Sequence, residues 1–158
     1  MDPVFRWIES SALSVWTRES TSIFAYPAIL SAHAIGMAMA AGVNAAIALR
    51  LLGVAPGIPP AEMRRYAGVA WSGFALNAFS GLLLLVAYPT KALTNPLFYV
   101  KLSLIAVGLG LFVAVNKRLE RCTAAAERWF AVALLTSWGG AIVAGRLLAY
   151  TYRRIMAG

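Results

Sequence analysis

The chain has 158 residues, of which 61% are hydrophobic and only 13% charged, and its mean hydropathy is +0.73. A soluble domain carries about 25% charged residues, so this composition excludes a water-exposed globular surface. The net charge of +8 raises the question of nucleic acid. However, the basic residues lie at the ends of apolar segments, where Lys and Arg meet lipid headgroups, and they form no basic stripe with interleaved aromatics. This pattern excludes a nucleic-acid binder.

The types and positions of the reactive residues favour a non-enzymatic protein. The single cysteine, Cys122, excludes an intrachain disulfide and a cysteine metal cluster, and we interpret it as an incidental loop thiol. No Ser-His-Asp set or Gly-rich phosphate loop is present, and a proton or cation pathway usually needs a carboxylate inside the membrane. All the acidic residues fall outside the apolar segments: Asp2, Glu9, Glu19, Glu62, Glu120 and Glu127.

The first residues have the pattern of an amphipathic helix. Asp2 and Pro3 are typical of a helix N-cap and first turn. Apolar residues then recur at helical spacing and predict an interfacial helix over about 3–17 with its tryptophans at headgroup depth. They are Val4, Trp7, Ile8, Ala12, Val15 and Trp16. Residues 1–22 lack the continuous apolar core of a cleavable signal peptide, so we expect the first apolar segment to act as the insertion signal.

Four apolar segments follow, at about 23–52, 66–87, 97–116 and 129–152. Each is long enough to cross about 30 Å of hydrocarbon. The connections between them are short, which predicts one all-α domain over 1–158, an antiparallel four-helix transmembrane bundle. Small residues at every fourth position predict close helix packing. They are Ala32, Gly36, Ala40, Gly73, Asn77, Gly81, Ala141 and Gly145. The balance of Lys and Arg between the two sides favours both termini outside the cytoplasm.

Three ionisable residues lie within these spans, and such residues are costly enough to mark function by default. They are His33, Lys101 and Arg146, and the topology places all three in the half of the bilayer nearest the termini, with Tyr88 and Tyr150 in the same layer. Lys101 and Arg146 are close enough to helix ends to extend to the headgroups instead. For His33 the structural alternative is a hydrogen bond to a neighbouring helix.

A cofactor site is the sharper interpretation of this layer. His33 and Met37 are four residues apart and share a helix face. Imidazole and thioether groups suit Cu(I), and either can be an axial haem ligand, so the two residues are the candidate metal ligands. Lys101, Arg146 and Tyr150 complete the candidate cofactor-binding set, and the two cations would receive haem propionates, a lipid headgroup or an anionic small molecule. The single histidine excludes a bis-histidine haem within one subunit.

Two runs of sequence resemble an uncharacterised bacterial family of small four-span inner-membrane proteins that carry a domain of unknown function. The first is Arg18-Glu19-Ser20, Tyr26-Pro27, His33-x-x-Gly36 and Leu49-Arg50-Leu51-Leu52-Gly53, and the second is Trp138 followed by Ala144-Gly145-Arg146-Leu147-Leu148-Ala149-Tyr150. More loosely, the chain is similar to copper-resistance D-type membrane proteins, which implies copper or haem handling on the periplasmic side. Leu30 and Ala48 stand where relatives often carry acidic residues, so the chain lacks these partners for His33 and Arg50.

The leading hypothesis is a non-enzymatic inner-membrane protein that acts as an accessory or cofactor-binding subunit. The alternatives are a b-type haem electron carrier, a copper-handling protein and a purely structural subunit of a larger membrane complex. Membrane lipid is the expected surrounding partner, and the small-residue faces would also allow a homo-oligomer.

Overall fold

The computed structural model describes residues 3–118 and 124–155, which form eight α-helices and one 3-10 turn. The elements are α1 (Pro3–Glu9), α2 (Ala12–Glu19), α3 (Tyr26–Leu51), α4 (Pro60–Met63), the 3-10 turn (Arg64–Tyr66), α5 (Ala67–Ala87), α6 (Pro89–Leu93), α7 (Pro96–Arg118) and α8 (Ala124–Ile155). Asp2, the predicted N-cap, and Cys122 lie outside the described residues.

In the described part of the chain, four helices are long and apolar enough to cross a membrane: α3, α5 with the turn before it, α7 and α8. The all-α bundle is therefore confirmed, and the chain is a multi-pass membrane protein. The first span begins later than predicted, at Tyr26, with Pro27 in its first turn, where a missing N–H costs nothing. The last begins earlier, at Ala124, because three consecutive alanines favour helix.

The backbones of α3 and α5 touch at two glycines. A Cβ placed on Gly36 would lie 2.5 Å from the Asn77 nitrogen and 2.7 Å from the Gly73 carbonyl oxygen. A Cβ on Gly73 would lie 2.8 Å from the Ala40 nitrogen. No side chain fits between the two helices at this point, so the contact predicted from the small-residue spacing is confirmed at this pair.

The remaining pairs of membrane-spanning helices differ in how closely they pack. The α3 helix also packs on α8, and α8 packs on α7, where Trp138 is 3% exposed and lies against Gly108. The helices α5 and α7 share no comparable seam. One contact between them joins Trp71 of α5 and Phe112 of α7, whose rings meet edge to face with centroids 5.9 Å apart. A cleft separates α5 from α7 towards the end of the bundle where α3 and α7 begin.

The N-terminal segment is two helices, so the prediction of one helix over about 3–17 is wrong at residues 10 and 11. The Ser11 hydroxyl accepts a hydrogen bond from the Ser14 nitrogen at 3.3 Å and caps α2. The Ser10 hydroxyl donates to the Trp7 carbonyl oxygen at 2.9 Å. Serine competes with the helix for backbone hydrogen bonds, which explains the break despite the continuous apolar spacing.

These two helices dock on the bundle through the polar face of α2. Ser14 and Thr17 are fully buried. The Arg18 guanidinium donates to the Glu9 carbonyl oxygen at 3.0 Å and to the Ala87 carbonyl oxygen at 3.1 Å. These carbonyls stand at the C-terminal ends of α1 and α5, where helical oxygens lack helical partners and attract cations. Arg18 therefore joins three helices, while Trp7 remains 76% exposed on the outer face.

The Leu-Arg-Leu-Leu-Gly run ends α3. Gly53 has a φ of +86°, and its N–H donates to the Arg50 carbonyl oxygen, while Val54 N–H donates to the Leu49 carbonyl oxygen. This is a Schellman ending, which favours glycine because the left-handed backbone is strained for other residues. The Arg50 side chain donates to the loop carbonyls of Ile58 and Pro56. Arg50 therefore holds the loop that follows α3 through backbone carbonyls.

We predict that Gly36→Ala destabilises the bundle by about 1–3 kcal/mol, because the added methyl group meets backbone atoms that cannot rotate away. Reversible unfolding in mixed micelles measures the change. Gly42→Ala is the matched control on the same helix, since its Cβ position is open. We expect the control to be neutral or slightly stabilising. Equal destabilisation by both variants would contradict the close contact.

We predict that Arg18→Ala loosens α1 and α2 without unfolding the spans. A hydrogen bond from a charged group contributes about 1.5–3 kcal/mol, so local opening should increase by about tenfold or more. Hydrogen exchange of the amides in 3–19 measures this opening. The exposed Arg6 provides the control, and Arg6→Ala should leave the exchange unchanged. Uniformly faster exchange throughout the bundle would argue against a local docking role.

Candidate functional site

His33 on α3 and Lys101 on α7 meet in the termini-side half of the bundle. The Lys101 ammonium nitrogen lies 3.2 Å from His33 Nε2. His33 is seven residues into α3 and Lys101 five residues into α7. At about 1.5 Å per residue, their Cα atoms lie about 10 Å and 8 Å from the helix starts. Two residues that the sequence placed in one layer are thus direct neighbours.

The imidazole of His33 is held by α5. Its Nδ1 lies 3.0 Å from the Asn77 carbonyl oxygen and 3.2 Å from the Ser80 hydroxyl, and that hydroxyl itself donates to the Leu76 carbonyl oxygen at 2.6 Å. A carbonyl oxygen only accepts, so the network assigns the proton to Nδ1. The Nε2 lone pair then accepts from the Lys101 ammonium. Asn77 Nδ2 also donates to the His33 carbonyl oxygen at 2.8 Å, which closes a reciprocal pair between α3 and α5.

Two glycines leave room for these side chains. A Cβ on Gly81 would lie 3.1 Å from His33 Cε1, closer than side-chain carbons normally approach. Gly145 on α8 lies beside the Lys101 stem, where a Cβ would be 3.6 Å from Cε, an ordinary van der Waals distance. The ring of His33 is therefore confined by α5, whereas the Lys101 chain has space on its α8 side.

A cavity of about 610 Å³ opens beside this pair, and we call it the α5–α7 cleft. Ligand pockets for single drug-sized molecules span about 300–1,000 Å³. The walls are mainly apolar, His33 and Lys101 lie on them, and Tyr88 and Lys91 line the end nearest α6. The other principal wall residues are Tyr26, Leu30, Phe74, Asn77, Leu85, Phe98, Leu102, Ile105, Ala106 and Leu109.

The charge of Lys101 has no counter-ion among the described residues. Glu9 accepts from the Thr90 nitrogen, Glu19 faces Arg18, and Glu62 pairs with Arg65. Glu127 lies in the first turn of α8, at the opposite end of the bundle. An ammonium has three N–H donors, and in the described part of the chain only His33 accepts one. Two donors of Lys101 are therefore available to a molecule in the cleft.

The other three candidate residues are not brought to His33. Met37 packs against the hydrophobic core cluster, to which all four membrane-spanning helices contribute, and does not line the cleft. Arg146 is exposed and Tyr150 is 64% exposed, on a face of α8 adjacent to the one that borders the cleft. Of the predicted cofactor-binding set, only His33 and Lys101 form a joint site.

The donor set does not fit a copper ion or a haem iron. Nδ1 of His33 donates to a backbone carbonyl, as in many metal sites, but Nε2 faces the Lys101 ammonium instead of open space. A metal at Nε2 would have to displace a cation. The Met37 thioether is packed elsewhere. The described residues also contain no group of three His, Cys, Asp or Glu side chains that could hold a metal.

The sequence does not predict that α5 provides the hydrogen-bond partners of His33. The sequence predicts packing roles for Asn77 and Gly81 and assigns no role to Ser80. The available signal was their spacing: with Gly73, these residues place small and polar groups on one α5 face at intervals of four, three and one. That face of α5 contacts His33. No sequence pattern predicts the cleft, because it forms where α5 and α7 do not pack against each other.

Comparison with known proteins gives no family model, no curated protein and no solved structure that matches this chain. The resemblance to small four-span inner-membrane proteins and to copper-resistance D-type proteins therefore stays a prediction. Function has to be inferred from the geometry of His33, Lys101 and the α5–α7 cleft.

We predict that the neutral imidazole of His33 carries its proton on Nδ1. Because His33 is the only histidine, ¹⁵N NMR of histidine-labelled protein in micelles reports this ring alone. Lys101→Met should shift the Nε2 resonance and leave Nδ1 protonated, because only Nε2 faces Lys101. Lys117→Met, an exposed lysine near the end of α7, is the control and should shift neither. A proton found on Nε2 in the neutral ring would contradict the assigned network.

Proposed function

We propose that this chain is a non-enzymatic protein of the bacterial inner membrane, an accessory or cofactor-binding subunit that holds a hydrophobic ligand in the α5–α7 cleft. The observation that carries the proposal is the cleft itself, with an ammonium on its wall that lacks a described counter-ion. Mainly apolar walls with a few fixed polar groups are typical of small-molecule sites, in which the polar groups orient the ligand.

The location of the cleft supports entry from the lipid phase. The cleft lies between two membrane-spanning helices that do not pack along this part of their length. The outer parts of its walls include exposed apolar residues such as Leu82 and Leu102. A lipid-soluble molecule would therefore reach Lys101 without crossing water.

The polar groups support binding more than catalysis. The Nε2 lone pair of His33 is engaged by Lys101, so His33 is poorly placed to act as a base. No described carboxylate lies in the cleft to exchange protons. We assign Lys101 to ligand contact and His33 to the positioning of Lys101. With both termini outside the cytoplasm, as the charge balance favours, the site would open in the periplasmic half of the bilayer.

We predict that a tryptophan at Ala106 blocks the cleft. Ala106 lines it and is exposed, so the indole can extend into the cavity without breaking a helix contact. The probe is hexadecanol that carries a photoactivatable diazirine, in lipid nanodiscs, with labelled peptides mapped by mass spectrometry. Wild-type protein should be labelled at Phe74, Leu102 and Ile105, and Ala106→Trp should reduce this labelling to the level of general lipid exposure.

The matched control is Ala75→Trp, on α5 at an exposed position that does not line the cleft. It should leave the labelling of the cleft walls unchanged. Wild-type labelling spread evenly over all lipid-facing residues, with no enrichment in the cleft, would reject the cleft as a binding site.

A further inference from the structure

Lys101 indicates the charge of the molecule that the cleft would hold. Its ammonium lies on a mainly apolar wall, and His33 gives it a hydrogen-bond acceptor but no negative charge. A charge in such surroundings is costly unless it is paired. Since no described carboxylate pairs with Lys101, an anionic group on the ligand would complete the site, whereas a neutral head would leave the charge uncompensated.

The size and depth of the cleft limit the shape of that molecule. Its volume of about 610 Å³ suits one small ligand, not the two chains and headgroup of a phospholipid. The Cα of Lys101 lies about 8 Å below the start of α7, and Leu109 lies about 12 Å further along the same wall. One apolar chain can therefore run from Lys101 past Ile105 towards Phe74 and the bundle centre.

We propose that the ligand of the α5–α7 cleft is a single-chain amphiphile with a carboxylate head, such as a long-chain fatty acid. This inference rests on the proposed function and specifies its ligand. One carboxylate balances one ammonium and offers oxygens to the two remaining N–H donors of Lys101. A phosphomonoester would bring about −1.5 to −2 charges, more than the single charge of Lys101 balances. The other cation that lines the cleft, Lys91, lies over the Tyr88 ring at the end nearest α6.

His33 acts in this site as a positioning residue. Its Nδ1 is fixed by Asn77 and Ser80 on α5, so its Nε2 presents a lone pair at a set place on the wall. That lone pair holds one N–H of Lys101 and directs the ammonium, which would otherwise extend towards the headgroups. Lys101 can thus receive a carboxylate below the membrane surface.

The test compares two photoactivatable probes with the same chain, a diazirine hexadecanoic acid and the diazirine hexadecanol, in neutral-lipid nanodiscs at pH 8. A charge-assisted hydrogen bond favours the acid, so wild-type protein should label the cleft walls about tenfold more with the acid than with the alcohol. Lys101→Met should remove this preference and keep alcohol labelling, which also shows that the variant is folded. Lys101→Arg should retain most of the preference, and the exposed Lys117→Met should retain all of it.

The outcomes separate this inference from the proposed function. Equal cleft labelling by acid and alcohol in wild-type protein would contradict a ligand whose carboxylate pairs with Lys101. An acid preference that persists in Lys101→Met would contradict it as well. Either result would still support the cleft as a binding site. Loss of acid labelling when dioleoylphosphatidylglycerol is added would assign the site to a two-chain anionic lipid and overturn the single-chain ligand. No enrichment of either probe in the cleft would reject the proposed function as well.

Discussion

The backbone contact between Gly36 and Gly73 is the constraint on which the site depends. It sets the distance between α3 and α5 at one point, and His33 and Asn77 lie within about one turn of it. His33 precedes Gly36 by three residues, and Asn77 follows Gly73 by four. A side chain at either glycine would separate the helices and lengthen the 3.0 Å bond between His33 and the Asn77 carbonyl oxygen. The orientation of Lys101 would change with it.

The cleft results from the way in which the other pairs of helices pack. The α3 helix uses one side for α5 and another for α8, and α7 packs on α8, so α5 and α7 are left apart. In water, an apolar gap of this kind would favour collapse. In lipid it does not, because acyl chains solvate apolar side chains as well as a neighbouring helix does. A membrane bundle can therefore keep an open seam between two spans, provided that its other seams hold the helices in place.

The sequence predicts what depends on periodicity and topology. Hydropathy predicts the four spans, and the positions of His33 and Lys101 along antiparallel helices predict that the two residues share one depth. The rotation of each helix about its axis was not predictable in the same way. Arg146 immediately follows Gly145 at the depth of Lys101, yet its side chain points outwards because α8 uses another face for packing. The break at Ser10 and Ser11 depended on side-chain hydrogen bonds that an apolar pattern does not register.

The docking of Arg18 constrains the order in which the protein assembles. Its acceptor, the carbonyl oxygen of Ala87, lies 69 residues further along the chain. During synthesis, α1 and α2 leave the ribosome before α5 exists, so their buried Ser14 and Thr17 have nothing to pack against. The exposed tryptophans give these helices an affinity for the membrane surface during this interval. Closure of the N-terminal segment onto the bundle is therefore a late event in biogenesis, which follows the insertion of the second span.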